Sequence, residues 1–350
     1  MSANNENEAA EPPPHPAGLM QIAFGFWASK ALLSAVELGV FAALAERPMT
    51  AAELRLRVGV HPRGAEDFFD ALVALDLLRR TDAPDGRRYA NTAATDRFLN
   101  PARPETSIGG LFDMANSAWY PRWGSLTEAL RTGAPQTAGE DGADPFDELY
   151  ADSDRLRRFQ DAMTGLSLGG ILDMAEKFPW GRYRTVADIG CSAGTMLSRV
   201  LQRHAHLSGV GFDLPELAPI FKETAVEFGM VGRMRFSPGD FFADPLPGAD
   251  VLAFGHVLHD WDLDTKRMLL GKAFEALPEG GAVVVYESMI DDERRYNASG
   301  LLSSLHMLLE TPGGFDYTGA DCLGWLDEAG FGSLRVESLA GPDSMAIGVK

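Results

Sequence analysis

The sequence predicts an α/β protein in which a mainly helical N-terminal domain precedes a parallel β-sheet covered by helices on both faces. Three observations support this fold class. Apolar residues recur at helical spacing near the N-terminus, short β-type runs alternate with helical stretches from residue 185 onward, and a glycine-containing turn joins the first run to a helix. The 350 residues are enough for two domains.

Composition limits the partners that this chain is expected to have. The formal net charge is −19, and an acidic surface repels nucleic-acid backbones and anionic membranes. We therefore expect neither nucleic acid nor a membrane as a partner. The two cysteines, Cys191 and Cys322, are too few for a disulfide scaffold or a four-cysteine zinc site, which fits a reduced cytoplasm.

The first sixteen residues are rich in Asn, Glu, Ala and Pro and predict a disordered tail. They lack the basic and apolar regions of a signal peptide. No run of about 18 uncharged apolar residues follows, so no transmembrane helix is expected.

Residues 17–105 predict a separate N-terminal domain. Apolar residues from Leu19 to Leu44 indicate one or two helices that are apolar nearly all round, buried either in the core or against a partner subunit. Thr50 and Glu53 have the spacing of a capping box, and a further helix is predicted over residues 64–78.

A hairpin around residues 84–86 completes the helix, helix, helix, hairpin pattern of a winged helix. Winged helices often bind DNA. Residues 17–100, however, contain ten Lys or Arg and ten Asp or Glu, a balance that suits DNA poorly. A role in dimerisation or in closing a substrate pocket is therefore favoured over DNA binding.

Residues 106–180 predict a helical linker that lines the substrate site, with a long helix over 159–177. The Pro179-Trp180-Gly181 break then marks the start of a catalytic domain over residues 181–350. Five parallel strands and a closing antiparallel pair are predicted there: Val186–Ile189, Ser208–Phe212, Met234–Pro238, Val251–Phe254 and Ala282–Tyr286, then Gly332–Leu339 and Ser344–Val349.

The first strand of this sheet leads into a loop that predicts an adenosine-containing cofactor. Small residues from Gly190 to Gly194 allow a ligand to approach the backbone, and Asp213 ends the next strand, where it can accept ribose hydroxyls. A dinucleotide loop would need a third glycine in register, so S-adenosylmethionine is favoured over NAD. Asp240 and Phe241 suit the adenine amino group and ring, or else form a turn with apolar anchors.

The fourth strand leads to His259, which predicts proton abstraction. A neutral phenol is a poor nucleophile, and a histidine has a suitable pKa to remove its proton. Glu287 and Asp316 are candidate acids that orient it. A metal site at His256, His259 and Asp260 is the alternative, but it lacks a third soft ligand nearby, and no metal is predicted.

These motifs resemble the class I O-methyltransferases of the caffeate, hydroxyindole and isoflavone type, especially their bacterial natural-product relatives. The resemblance covers nearly the whole chain after residue 17. It implies a winged-helix dimerisation domain joined to a Rossmann-like methyltransferase domain, in an intertwined homodimer. The matching segments are Asp188-Ile189-Gly190, Gly194, Asp213-Leu214-Pro215, Gly239-Asp240-Phe241-Phe242, His259-Asp260-Trp261 and Pro312-Gly313-Gly314.

The resemblance also assigns roles to single residues. It implies that His259 is the general base and that Glu287 and Asp316 flank it. It implies that Phe159 and Met163 line the acceptor pocket. The cofactor-binding residues that it implies are Ser167, Asp188, Gly190, Gly194, Asp213, Leu214, Asp240 and Phe241.

Four positions depart from the family pattern. Cys191 and Ser192 replace glycines of the loop, Gly255 replaces a frequent Lys or Arg, and Asp316 is shorter than the usual Glu, so it is expected to hold His259 less firmly.

The predicted reaction is O-methylation of a phenolic or polyketide-type metabolite. The alternatives keep the cofactor but methylate carbon or nitrogen, or use it for decarboxylation or hydroxylation; a non-catalytic DNA-binding regulator is a third hypothesis. Met307 is expected to line the acceptor pocket, and Glu310 is either a further carboxylate there or a helix-end residue.

Overall fold

The computed structural model describes residues 15–82, 84, 86–103, 106–136 and 153–350. The predicted disordered tail therefore lies almost entirely outside the described residues. The chain divides into two compact units, residues 1–106 and 107–350. The finer predicted division, with a linker over residues 106–180, stays a prediction.

The N-terminal unit consists of short helices and a small antiparallel sheet. Its helices are α1 Ala17–Ala23, α2 Gly25–Glu37, α3 Val40–Glu46, α4 Ala51–Val58, α5 Pro62–Ala74 and α6 Ala93–Phe98. Its strands are β1 Met49–Thr50, β2 Leu78–Thr81 and β3 Arg88–Asn91, in the order β1-β3-β2. Phe41, Phe69 and Tyr89 are the buried aromatic residues of its core.

Of two sequence predictions for the N-terminal unit, one is confirmed and one is wrong. The capping box is present, because Thr50 accepts from the backbone of Glu53 and Glu53 accepts from that of Thr50. The end of the next helix was predicted wrongly: α5 stops at Ala74, not at residue 78. Asp76 takes a positive φ of 56°, which reverses the chain so that Leu78 pairs with Asn91 in the sheet.

The first two helices leave large apolar side chains exposed. Leu19 is 74% exposed, Ile22 82% and Trp27 63%. The predicted alternative that these helices are buried in the core of this chain is therefore wrong for these residues. The segment Ala17–Glu37 also has the length and hydropathy of a membrane-spanning helix, whereas sequence analysis expected none. One such helix near the N-terminus is weak evidence for a membrane span.

The C-terminal unit contains a seven-stranded sheet in the order β6-β5-β4-β7-β8-β10-β9. The first five strands in this order are parallel, and β10 and β9 are antiparallel, as predicted. The strands are β4 Thr185–Ile189, β5 Ser208–Asp213, β6 Met234–Pro238, β7 Val251–Gly255, β8 Ala282–Glu287, β9 Gly332–Ser338 and β10 Ser344–Val349.

Helices surround this sheet. Those described are α7 Gly109–Met114, α8 Tyr120–Trp123, α9 Leu126–Thr132, α10 Ser153–Lys177, α11 Thr195–Arg203, α12 Ala218–Glu227, α13 Leu263–Ala276, α14 Ala298–Glu310 and α15 Gly319–Ala329, with a π-helical turn at Ala115–Trp119. Successive residues of the central strands pack into two separate cores: Val284 belongs to one, and Val283 and Val285 belong to the other. The fold class is thereby confirmed.

Strand direction determines where polar side chains can meet. The carboxyl ends of β4 to β8 all lie at the same edge, because these strands are parallel. Gly190, Asp213, Asp240, His256 and Glu287 lie at or just beyond these ends. The site is therefore built at this edge.

Candidate active site

The loop after β4 has a backbone that requires glycine. Gly190 and Gly194 have φ values of 71° and 80°. A Cβ added at Gly190 would lie 2.6 Å from the Val257 side chain, and one at Gly194 would lie 2.6 Å from the ring of Phe221. The loop after β4 therefore packs directly on Val257, two residues before His259.

The two non-glycine residues of this loop are accommodated by their neighbours. Cys191 is buried, and a Cβ added at Gly211 would lie 2.7 Å from its sulfur, so the missing side chain on β5 makes room for it. Ser192 has a φ of 54°, and its N–H donates to Asp213 Oδ2 at 2.8 Å. Contacts within this chain therefore accommodate both residues that depart from the family pattern.

Asp213 connects the loop to the next strand. Its second oxygen accepts from the N–H of Leu214 at 2.8 Å, so each carboxylate oxygen has one backbone donor and retains acceptor capacity. Burial raises the pKa of Asp213 to about 6, although these two N–H groups oppose the rise. Burial, and to a lesser extent the charge of Asp213, also raises the pKa of Asp188 well above its usual range.

The segment after β6 forms a compact turn. Asp240 Oδ1 accepts from the N–H of Phe242 at 2.8 Å, and the N–H of Asp240 donates to Asp244 Oδ2 at 2.9 Å. The Phe241 ring meets Trp261 edge-on at 5.9 Å. This geometry suits both predicted alternatives, an adenine-binding segment and a turn with apolar anchors. The contact of Asp240 and Phe241 with adenine stays a prediction.

Three candidate residues lie on α10. Phe159, Met163 and Ser167 are spaced by one helical turn each and are half-buried. Phe159 packs in a cluster with Leu217 and Phe236, close to the segment that follows Asp213. Their roles in the acceptor and cofactor pockets stay predictions.

A carboxylate at the end of β8 holds the turn that carries His259. Glu287 Oε1 accepts three successive N–H groups, from Val257 at 3.1 Å, Leu258 at 2.8 Å and His259 at 3.3 Å. Glu287 is 1% exposed. It therefore holds the backbone of the turn, whereas sequence analysis expected it to orient the imidazole.

The imidazole of His259 is held by Asp316. Asp316 Oδ1 lies 3.1 Å from His259 Nδ1, and both residues are buried. The N–H of Asp316 donates to Ser304 Oγ on α14 at 3.2 Å. The shorter acid that was expected to hold His259 less firmly is thus the one in hydrogen-bond contact with its ring.

The turn that carries Asp316 packs closely on the turn that carries His259. A Cβ added at Gly314 would clash with Thr311 Oγ1 and lie 2.6 Å from the carbonyl oxygen of His259. The N–H of Gly314 donates to Thr311 Oγ1 at 2.8 Å. Glycine at position 314 therefore allows Asp316 to reach the imidazole.

The charges around His259 favour its protonated form. Burial by itself lowers the pKa of His259, but Asp260, Asp316 and Glu287 outweigh it and raise the pKa well above its usual range. Asp260 Oδ1 lies 3.6 Å from Nε2. A carboxylate on Nδ1 favours the tautomer in which Nε2 carries the free lone pair.

Ligand atoms of His259, Glu287 and Asp316 lie within 4.8 Å of one another, a spacing that a metal ion would also accept. The hydrogen bonds just described already engage one oxygen of each carboxylate and the Nδ1 atom. The expectation that the site works without a metal stays a prediction.

A second histidine, which sequence analysis missed, lies on α14 among aromatic rings. The His306 ring meets Trp119 edge-on at 5.0 Å and is parallel to Trp123 at 6.4 Å. Burial lowers the pKa of His306 to about 4, with smaller effects from the positive charges of His259 and Arg122. His306 is therefore neutral near pH 7.

Glu310, one turn further along α14, is paired with Arg122. Its two oxygens lie 2.9 and 2.6 Å from Arg122 Nη1, and Oε1 lies 3.8 Å from His306 Nε2. Met307 is 7% exposed. His306 and Glu310 are polar residues four positions apart in an otherwise apolar helix. That spacing was the sequence signal from which their contact could have been predicted.

Comparisons with known proteins identify the family. An O-methyltransferase dimerisation domain matches residues 20–101, and an O-methyltransferase domain matches residues 123–332. The chain belongs to this O-methyltransferase family. The tetracenomycin polyketide synthesis 8-O-methyl transferase of Streptomyces glaucescens is 42% identical over 335 residues, which cover 96% of this chain and 97% of that relative.

Two further proteins are similar to this chain. An N,N-dimethyltransferase of Streptomyces rimosus is 42% identical over 276 residues and 78% of both chains. Human N-acetylserotonin methyltransferase, crystallised with S-adenosylmethionine, has a TM-score of 0.88 at 28% identity and covers 100% of this chain and 99% of its own. S-adenosylmethionine is the cofactor of this O-methyltransferase, and the glycine loop with its adjacent carboxylate fits it.

Replacing Gly314 with Ala should push apart the turn that carries His259 and the turn that carries Asp316. The added Cβ has no space beside Thr311 and the His259 carbonyl, so we expect a loss of about 1–3 kcal/mol in the free energy of unfolding and a lower kcat. The control is Gly324→Ala on α15, where a Cβ meets no atom within 4 Å and should stabilise the helix slightly. Thermal unfolding and turnover measure both; equal behaviour of the two variants would contradict this account.

Replacing Asp213 with Asn should weaken S-adenosylmethionine binding about tenfold or more, because one acceptor and the charge that holds the Ser192 N–H are lost. Titration calorimetry measures the Kd. Glu216→Gln, at an exposed position three residues further on, is the control and should bind normally. An unchanged Kd in Asp213→Asn would remove this residue from the cofactor site.

Proposed function

We propose that this chain methylates a phenolic hydroxyl of a small aromatic metabolite of polyketide type, with His259 as the general base. The observation that carries the proposal is the buried contact of 3.1 Å between His259 Nδ1 and Asp316. Because Asp316 takes up Nδ1, the proton of an acceptor hydroxyl would go to Nε2.

The residues that would hold the cofactor lie at the carboxyl ends of the parallel strands and on α10. When bound there, S-adenosylmethionine supplies an electrophilic methyl group. The main contribution of the protein is then alignment of the acceptor oxygen with that group. The residues proposed for this binding are Ser167, Asp188, Gly190, Gly194, Asp213, Leu214, Asp240 and Phe241.

The electrostatics of the site suit a phenol. An ordinary histidine, with a pKa of about 6.5, is a weak base towards a phenol of pKa about 10. The carboxylates around His259 raise its pKa and so bring the two groups closer together. Asp260, Glu287 and Asp316 would also stabilise the imidazolium that forms when the proton moves.

The acceptor side is aromatic. The rings of Trp119 and Trp123 lie against His306, and the Arg122–Glu310 pair includes the residue one turn further along α14, so flat apolar surfaces and polar groups occur together. Met307 is the chain neighbour of His306. Among the relatives, the names of a tetracenomycin 8-O-methyl transferase and a 3-hydroxy-5-methyl-1-naphthoate 3-O-methyltransferase indicate polycyclic aromatic acceptors. These facts support an aromatic acceptor, with Phe159, Met163 and Glu310 in its pocket.

The exposed apolar helices α1 and α2 support a homodimer. The match to a dimerisation domain over residues 20–101 supports the same assembly. We infer that a second copy of this chain covers Leu19, Ile22 and Trp27. The acidic net charge supports the absence of a nucleic-acid or membrane partner, and the two cysteines fit a cytoplasmic enzyme.

A second candidate function is N-methylation. It is favoured by the N,N-dimethyltransferase relative at 42% identity. Turnover of methyl-labelled S-adenosylmethionine against matched pairs of phenols and arylamines, with mass spectrometry locating the label, distinguishes the two. Label on oxygen supports the proposal, and label on nitrogen alone would replace it.

Replacing His259 with Ala should lower the kcat on a phenol by about 10²–10⁴-fold while leaving the Kd of S-adenosylmethionine near the wild-type value. The control is His206→Ala, whose ring contacts the Trp180 carbonyl, away from the carboxyl ends of the strands. Unchanged turnover in His259→Ala would refute the base assignment.

Replacing Ile22 with Glu should weaken the homodimer, because a charge would enter an apolar interface. Light scattering coupled to size exclusion measures the mass at decreasing concentration. Val226→Glu, which changes an exposed apolar residue of α12, is the matched control and should leave the mass unchanged. A dimer of equal strength in both variants would contradict the proposed interface.

A further inference from the structure

Helix α13 places a lysine ammonium inside the protein, next to the catalytic turn. Lys266 is 0% exposed. Its Nζ donates to the carbonyl oxygen of Trp261, two residues after His259. Burying an ammonium costs several kcal/mol unless other groups compensate, so a lysine at this position requires a physical explanation.

Aromatic rings from the turn that carries Asp316 complete the environment of the ammonium. Nζ lies 3.5 Å from the centroid of the Phe315 ring and 5.5 Å from that of Tyr317. Phe315 and Tyr317 are the two chain neighbours of Asp316. Lys266 therefore contacts both segments that determine the position of the imidazole: the turn of His259 and the turn of Asp316.

The surrounding charges are negative. The groups that act on the ammonium are Glu287, Asp316, Asp260 and Asp262. Burial lowers the pKa of Lys266 to about 8, and these four carboxylates oppose the fall. The ammonium is thus charged near pH 7 and loses its proton within an accessible pH range.

We propose that the ammonium of Lys266 is a positioning group that connects the His259 turn to the Asp316 turn, so that methyl transfer requires Lys266 in its charged form. The neutral amine attracts neither the Phe315 ring nor the carboxylates as a cation does, so deprotonation loosens the contact between the two turns. This inference rests on the proposed role of His259 as the base.

The chain offers a matched control. Lys350 also combines backbone carbonyls with an aromatic ring: its Nζ donates to the carbonyls of Phe274 and Leu277 at 2.6 and 2.8 Å and lies 4.6 Å from the Phe274 ring. It lies at the C-terminus, at the opposite end of the sheet from the catalytic turn. Lys350→Met removes the same kinds of contact without touching the site.

The test is the pH dependence of kcat with S-adenosylmethionine and a phenolic acceptor both saturating. It is measured in the wild type, Lys266→Met, Lys266→Gln and Lys350→Met. Lys266→Gln keeps an N–H donor for the Trp261 carbonyl and so protects the fold. Because His259 must be neutral to act as the base and its pKa is raised to about 10, kcat should rise with pH until Lys266 loses its proton. In the wild type and Lys350→Met this rise should therefore stop at about pH 8. Both Lys266 variants should be about tenfold slower at pH 7, and their kcat should continue to rise above pH 8.

Two results would overturn the inference: a wild-type kcat that keeps rising above pH 8, or a Lys266 variant whose kcat stops rising at the same pH as that of the wild type. If the role of Lys266 were purely structural, its replacement would slow the enzyme without changing the pH at which kcat stops rising. Because His259→Ala tests the base independently, failure of the Lys266 inference and failure of the proposed function give different results.

Discussion

The site depends on one interaction, the acceptance of three successive N–H groups by the carboxylate of Glu287. These donors belong to a turn at the end of β7, and Glu287 ends the neighbouring parallel strand β8, so the sheet register brings donors and acceptor together. Without this carboxylate the N–H groups of the turn would be buried without partners. The position of His259 is therefore set first by strand pairing and only afterwards by its own side-chain contacts.

Further contacts attach other parts of the site to this turn. Gly190 brings the cofactor loop against Val257, and Gly314 brings the segment that carries Asp316 against the His259 carbonyl. Asp316 then orients the imidazole. The glycine loop, His259 and Asp316 thus share one small piece of backbone, which under the proposed function would favour alignment of the methyl donor with the acceptor.

Much of this could be predicted from sequence, because glycine turns and strand-end carboxylates leave local patterns. The loop from Gly190 to Gly194, Asp213 and His259 all follow β-type runs, and their shared edge follows from parallel strand order. The division of work between Glu287 and Asp316 was not predictable, since both lie far from His259 in the chain. Lys266 gave no signal, because a lysine on a helix is usually exposed.

The central claim is that Asp316 orients His259 and raises its pKa, so that the imidazole serves as the base. The most direct test is the pH dependence of kcat/KM for a phenolic acceptor at saturating S-adenosylmethionine, in the wild type and Asp316→Asn. In the wild type, activity should fall as the pH decreases through a pKa above the usual 6.5 of histidine. Because Asp316→Asn removes a negative charge, it should move this fall to lower pH and reduce the maximal rate. A fall at the same pH in both proteins would contradict the account.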